Sequence, residues 1–323
     1  MTTQIILPIE GPFSLAASAS FGFGPNMGRP SPDESVMRLA FVADDLRHHV
    51  GAVLTQLPDG SLTAEMRGDA PVHAAEAQVR RILSIDTGVD AWLAAGRADP
   101  VLGAVQATYP GLRPVLFHSP YEAAAWSVLS QRRHRAQGIA LRRRLSEVAG
   151  ATFDLAGQAA LAFPLPARLL EVMQLPGIED SRMARLHGVA QAALDGHLDA
   201  AALRTASPES ALGDLQRING LGPFYATLVY LRSTGVTDAL TLGEPRLADY
   251  LRHYYDLAET PSAAEIKRIA ERWHPFRTWA AVLFRVAGDR EGVPFNSDSG
   301  RGRRGVPRLA SERFSRNTLT VSG

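Results

Sequence analysis

Cysteine is absent from the 323 residues. That excludes structural disulfides, thiolate metal sites, iron–sulfur clusters and cysteine nucleophiles together. Lysine is nearly absent too: of 34 Lys and Arg, only Lys267 is lysine, a bias that a GC-rich genome produces. Any Schiff-base chemistry would have to use Lys267 or the N-terminal amine. No apolar run approaches the length that spans a bilayer, and the N-terminus has no basic start ahead of an apolar block. A soluble cytoplasmic protein without membrane contact is the expectation. The nine His show no paired spacing that would suggest a metal site, and His48-His49 reads as a surface pair.

What is present fits a globular chain of more than one average domain, with 46% hydrophobic residues to build a core. The formal net charge of +1 hides an asymmetry. Six Arg and one Glu follow Gly300, so the tail is near +5 and the rest near −4. A nucleic-acid binder with an acidic body must concentrate positive charge locally. Gln131-Arg-Arg-His-Arg135 and Arg142-Arg-Arg144 are candidates for that concentration.

Residues 1–112 read as a small α+β domain. Strands are expected over Gln4–Ile9, Val36–Val42, Val50–Gln56 and, after the Pro58-Asp-Gly60 turn, Ser61–Met66. Gly22 to Pro32 is a loop. Helices are expected over Val72–Ile85, Asp86–Ala94 and Pro100–Thr108. Residues 113–290 read as helix after helix, with no strand signal between 120 and 290. Ser119-Pro-Tyr-Glu122 has the form of a capping box with Pro at the first helical position, and Ser207-Pro208 and Thr260-Pro261 repeat the cap-plus-Pro device. Residues 291–323 are a basic Gly/Ser/Arg/Asn-rich tail, expected to be disordered.

One segment is the most informative. In Leu215-Gln-Arg-Ile-Asn-Gly-Leu-Gly-Pro-Phe-Tyr225 a helix stops at Asn219-Gly-Leu-Gly222 and a second starts at Pro223. Glycines at 220 and 222 allow positive φ and close approach of a phosphate backbone. The second helix then offers its free N–H groups to an anion. A plain helix–turn–helix corner is the other reading of the same residues.

Three motifs in this order carry a family resemblance. Ser119-Pro-Tyr-Glu-Ala-Ala-Ala-Trp-Ser-Val-Leu-Ser-Gln131 resembles the opening helix of the helix-hairpin-helix DNA glycosylases. The hairpin at 215–222, then Glu244, then Ala270-Glu-Arg-Trp-His-Pro-Phe-Arg-Thr-Trp-Ala280 resemble the 3-methyladenine DNA glycosylase II branch. The resemblance covers roughly residues 110–290 well and 1–110 more loosely. It implies a mostly α fold, a helix-hairpin-helix bundle preceded by a small α+β domain. It further implies a monomeric bacterial enzyme of the nucleoid that acts on damaged bases in double-stranded DNA with no cofactor.

The roles implied by the resemblance are these. Backbone groups of Ile218, Asn219, Gly220, Leu221 and Gly222 would clamp a phosphate, with an alkali cation shared at the backbone of Ile218 and Gly220. Gln131 and Arg132 would touch the widowed base or nearby phosphates; a solvated helix end is the alternative. Phe224 would be an aromatic platform for the extruded base, with Trp126, Tyr225 and Tyr230 close in sequence, although aromatics at helical spacing also fill cores. Glu244 would be the catalytic carboxylate, where the family has Asp, and Asp238 and Asp249 are the alternative acids. The longer Glu leaves two readings open: an active enzyme, and a lesion-sensing homologue that kept only the clamp. Arg285 stands where the family places an aromatic pocket wall, and Phe224 replaces the Lys of strand-nicking members. Trp273 is expected in the core and Arg277 in a pair with a carboxylate.

Overall fold

The computed structural model describes residues 2–21, 36–240 and 245–294. The loop expected at 22–32, the candidate acid Glu244 and the basic tail lie outside the described residues. The chain opens with β1 (Thr2–Leu7), a short helix α1 (Leu15–Ala19), β2 (Val36–Val42), β3 (His49–Gln56) and β4 (Leu62–Gly68). The four strands form one antiparallel sheet in the order β1-β4-β3-β2. The expected turn joins β3 to β4: Gly60 takes φ +89 and the Leu57 N–H donates to the Ser61 carbonyl at 2.8 Å. Leu62, Ala64 and Met66 then alternate onto the buried face, as the two-residue period of a strand requires.

Three helices follow, α2 (Val72–Ile82), α3 (Val89–Ala98) and α4 (Pro100–Thr108). The helix expected from Asp86 starts three residues later because Gly88 serves as its N-cap. Next comes α5 (Pro120–Ser130), in which every residue from Pro120 to Leu129 is buried. Small and apolar residues cover all its sides, so it can only lie in the middle of a bundle. Around it lie α6 (Arg135–Ala149), α7 (Pro166–Leu170), α8 (Asp180–Leu194), α9 (Ala200–Thr205), α10 (Pro208–Gln216) and α11 (Pro223–Ser233). Then come α12 (Pro245–Tyr254), α13 (Ala263–Ala270), a single 3₁₀ turn at Glu271–Trp273, and α14 (Arg277–Glu291).

The hydrophobic core changes at residues 115–117. One cluster joins the sheet and α2–α4 to Leu247, Leu251, Trp273, Trp279 and Phe284. The helices α12–α14 therefore pack on the N-terminal layer rather than on the helices that precede them. The second cluster runs from Phe117 to Leu231 around α5.

Four sequence expectations need correction. A hairpin of two strands, β5 (Ala151–Leu155) and β6 (Gln158–Ala162), interrupts the helical region. It docks on the sheet, with Phe153 packed over Gly51 and the Arg38 Nε donating to the Leu155 carbonyl at 2.9 Å. The capping box at Ser119 is only half made. Ser119 Oγ accepts the Glu122 N–H at 3.2 Å, but the Glu122 carboxylate turns inward to the Val42 N–H at 2.9 Å, Arg142 at 2.9 Å and His118 at 3.3 Å. The cap of α13 is Ser262, not Thr260, and forms a full capping box with Glu265. His48 and His49 are both half-buried, His48 paired with Asp45 and His49 bonded to the Phe163 carbonyl at 2.9 Å, so they are not a free surface pair.

Glu122 is the buried charge that joins the layers. Burial pushes its carboxyl pKa up, but His118, Arg142 and the Val42 N–H outweigh that and hold it at about 2 against an ordinary 4.5. Because the folded value is depressed, this stabilisation is complete above pH 4.5 and is lost as pH falls toward 2. Glu122→Gln should cost about 3 kcal/mol at neutral pH, since it leaves Arg142 without its carboxylate partner. It should also flatten the acid limb of stability between pH 4.5 and 2 in denaturant titrations. An acid limb identical to wild type would refute this account of Glu122.

Candidate functional site

The hairpin connects α10 to α11 through residues 217–222. Ile218 and Leu221 point inward, 7% and 1% exposed, and fix the turn to the second core. Gly220 takes φ +100, so a side chain there would be strained. Gly222 does not use that freedom: its φ is −67, an ordinary extended conformation. A Cβ at Gly222 would meet nothing within 4 Å, so its missing side chain leaves open space on the outer surface. Asn219, Gly222, Pro223 and Phe224 are exposed together. Among the described residues, the N–H groups of Gly220, Gly222, Phe224 and Tyr225 have no protein acceptor. Three of these free donors lie at the N-terminus of α11 and the fourth in the turn before it, a place where an anion is favoured by both hydrogen bonding and the helix dipole.

The carbonyls of Ile218 and Gly220 each accept one hydrogen bond. The first accepts the Leu221 N–H at 3.0 Å and the second accepts Gln131 Nε2 at 3.0 Å. Gln131 thus faces the hairpin rather than solvent. Its neighbour Arg132 is exposed at φ +55, a left-handed conformation that costs a residue with a side chain, and makes no hydrogen bond or ion pair with the described residues. The turn is held on its other flank by Arg133, which reaches the Gly177 carbonyl at 3.3 Å and Glu179 at 2.5 Å. In the second basic cluster Arg143 and Arg144 are exposed and Arg142 is half-buried. Arg142 is committed to Glu122, Arg143 pairs with Glu147 at 3.4 Å, and Arg144 donates to the Pro176 carbonyl at 3.1 Å.

The aromatic candidates separate cleanly. Phe224 is 54% exposed beside the free N–H groups and makes an edge contact with Tyr225 at 5.2 Å. Tyr225 is half-buried and bonded to Ser130, and burial raises its pKa. Trp126 is a core residue, packed against Gly138 of α6, and Tyr230 is 2% exposed in the same core. Neither of these two offers a face to a ligand. Arg285 lies on α14 one turn before Asp289, at 3.9 Å, and Asp289 also binds Tyr250 at 2.5 Å and Arg246 at 3.2 Å. That cluster joins the first turns of α12 to α14.

Glu244 immediately precedes α12 in sequence, outside the described residues. The two alternative acids are committed elsewhere. Asp249 is 5% exposed and accepts from Thr260 at 3.4 Å. Asp238 receives Arg277 Nε at 2.7 Å and Nη2 at 2.8 Å, the Arg277 N–H at 3.2 Å, and His274 at 2.7 Å. Burial raises the Asp238 pKa, but these donors dominate and leave it at about 2. The expected partner of Arg277 is therefore Asp238, and Trp273 is core, with its Nε1 donating to Tyr255 at 3.0 Å.

A mixed layer followed by a helical array with an outward-facing Gly-Leu-Gly hairpin defines the fold of the helix-hairpin-helix DNA glycosylases. No protein-family model matches the chain. It is 24% identical over 208 residues to a DNA-3-methyladenine glycosylase of Bacillus subtilis (strain 168), covering 62% of this chain and 68% of that protein. It is 30% identical over 185 residues to DNA-3-methyladenine glycosylase 2 of Escherichia coli (strain K12), covering 56% of this chain and 62% of that protein. Among solved structures, the 3-methyladenine DNA-glycosylase from Archaeoglobus fulgidus superposes with a TM-score of 0.69 at 19% identity, covering 90% of this chain and 98% of that one. In sequence the chain is similar to these two DNA-3-methyladenine glycosylases, and it shares its fold with the Archaeoglobus fulgidus structure.

The Asp238–Arg277 pair fixes the start of α14 and is structural. Asp238→Ala should lower stability by about 2 kcal/mol, the loss of several charge-assisted hydrogen bonds. An unchanged denaturation midpoint would show that the pair carries no net stability.

Proposed function

We propose that the protein is a monofunctional DNA glycosylase that removes alkylated or otherwise damaged bases from double-stranded DNA, acting as a monomer. The observation that carries this reading is the exposed hairpin: four N–H groups without a protein acceptor, a glycine with open space at 222, and Phe224 directly beside them. A backbone phosphate bound there would hold the distorted strand. Arg132, exposed on its own turn, would enter the gap that an extruded nucleotide leaves. Phe224 would stack on the extruded base, a sequence-tolerant interaction worth roughly 1–3 kcal/mol per base.

Cleavage breaks the bond between the sugar C1′ and the base nitrogen. The bonding pair leaves with the base, so positive charge develops on the sugar. A carboxylate beside C1′ stabilises that charge and orients the attacking water. Glu244 is assigned this role from its place in the motif order, directly ahead of α12. An alkylated purine that is already cationic leaves as a neutral base and needs no strong general acid. Lys267 is exposed on α13, whose Ile266 and Ile269 belong to the other core, and Phe224 stands beside the clamp. This supports simple hydrolysis that leaves an intact abasic site, without a Schiff base.

The test is single-turnover incubation with duplexes carrying methylated or deaminated bases, followed by alkali to reveal abasic sites. Wild type should yield alkali-dependent breaks only, and Glu244→Gln should slow their formation on the order of 10²-fold. Equal rates would remove Glu244 from the mechanism. Binding of abasic-site analogues with no base release from any duplex would favour the lesion-sensing reading, which the Glu-for-Asp difference motivates.

A further inference from the structure

Gln131 is engaged on three of its polar groups at once. Its Nε2 donates to the Gly220 carbonyl at 3.0 Å, its Oε1 accepts from Arg185 Nη1 at 3.3 Å, and its own carbonyl accepts from Arg182 Nη2 at 3.2 Å. Arg182 also donates to the Val128 carbonyl, so two arginines of α8 hold the end of α5. The peptide between Gly220 and Leu221 is thereby pinned at both ends, its C=O by Gln131 and its N–H by the Ile218 carbonyl. A glycine at φ +100 has no side chain to restrain that peptide, so the restraint must come from outside. The flanking N–H groups of Gly220 and Gly222 take their direction from it.

We infer that Gln131 is a positioning residue: a strut that sets the hairpin amides relative to the Arg132 turn without itself touching DNA. This rests on the proposed function for its purpose, though not for its geometry. The Arg132 turn is fixed on one side by Gln131 and on the other by Arg133 with Glu179. A bound strand therefore meets Arg132 and the hairpin N–H groups as a single preorganised surface, and binding need not order either turn.

Two variants separate the strut from a direct contact. Gln131→Met keeps the length and loses both amide bonds. Gln131→Glu keeps an acceptor for Arg185 and sets an oxygen against the Gly220 carbonyl. Hydrogen exchange of the hairpin amides is measured in the free full-length protein. Affinity is measured for an undamaged duplex and for one carrying a tetrahydrofuran abasic-site analogue. The expected result is faster exchange across residues 217–225 in both variants. Binding to both duplexes should weaken roughly tenfold, the scale of one lost hydrogen bond. Wild-type exchange at the hairpin in both variants would overturn the inference, as would a loss confined to the damaged duplex with exchange unchanged, which marks a direct contact. A wild-type protein that binds neither duplex would sink the proposed function, while the exchange measurement would still decide the strut.

Discussion

Helix α5 is a buried ruler, and its two ends set where everything else sits. At its start the Glu122 carboxylate, fully out of water, gathers the Val42 N–H, His118 and Arg142 and so joins the sheet, α5 and α6. At its finish Val128 and Gln131 are held by Arg182 and Arg185 of α8, and Gln131 holds the hairpin. A buried carboxylate is tolerated only when its lone pairs are satisfied, so the layers cannot slide without stranding a charge. The distance from the sheet to the Arg132 and hairpin turns is therefore carried by eleven residues of rigid helix.

The two ends use different chemistry for a reason. The Glu122 end is dry and ionic, which makes it strong and unforgiving. The Gln131 end is half-exposed: two arginines of α8 hold the helix end, and a neutral amide N–H of Gln131 holds the Gly220 carbonyl. The amide holds the hairpin peptide through its carbonyl and leaves the neighbouring N–H groups free for the proposed phosphate contact.

Much of this was legible in the sequence because it is written in local chemistry. Pro100, Pro208 and Pro223 sit at first helical positions, and Ser207 caps as its spacing implies. The exposed Phe224 follows from its place one residue inside α11. What was not legible depends on long-range partners or on atypical turn chemistry. The β5–β6 hairpin turns at Ala156-Gly157 with φ of +51 and +75, and alanine is a poor signal for a left-handed position where Asn or Asp is usual. Gln131 reads as a free polar helix end until Gly220, 89 residues on, is placed beside it. Trp126 and Phe224 both look like ligand aromatics in one dimension; only packing shows that one is core.

The central claim is that the hairpin grips a sugar-phosphate strand through its backbone, and Gly222 tests it with the least ambiguity. Its φ of −67 suits any residue, and a Cβ there meets no protein atom within 4 Å. Gly222→Val should therefore leave the thermal midpoint nearly unchanged. Affinity for an abasic-site duplex should nonetheless fall by at least roughly tenfold, because the added side chain stands between the strand and the amides. Full affinity in that variant would contradict the account.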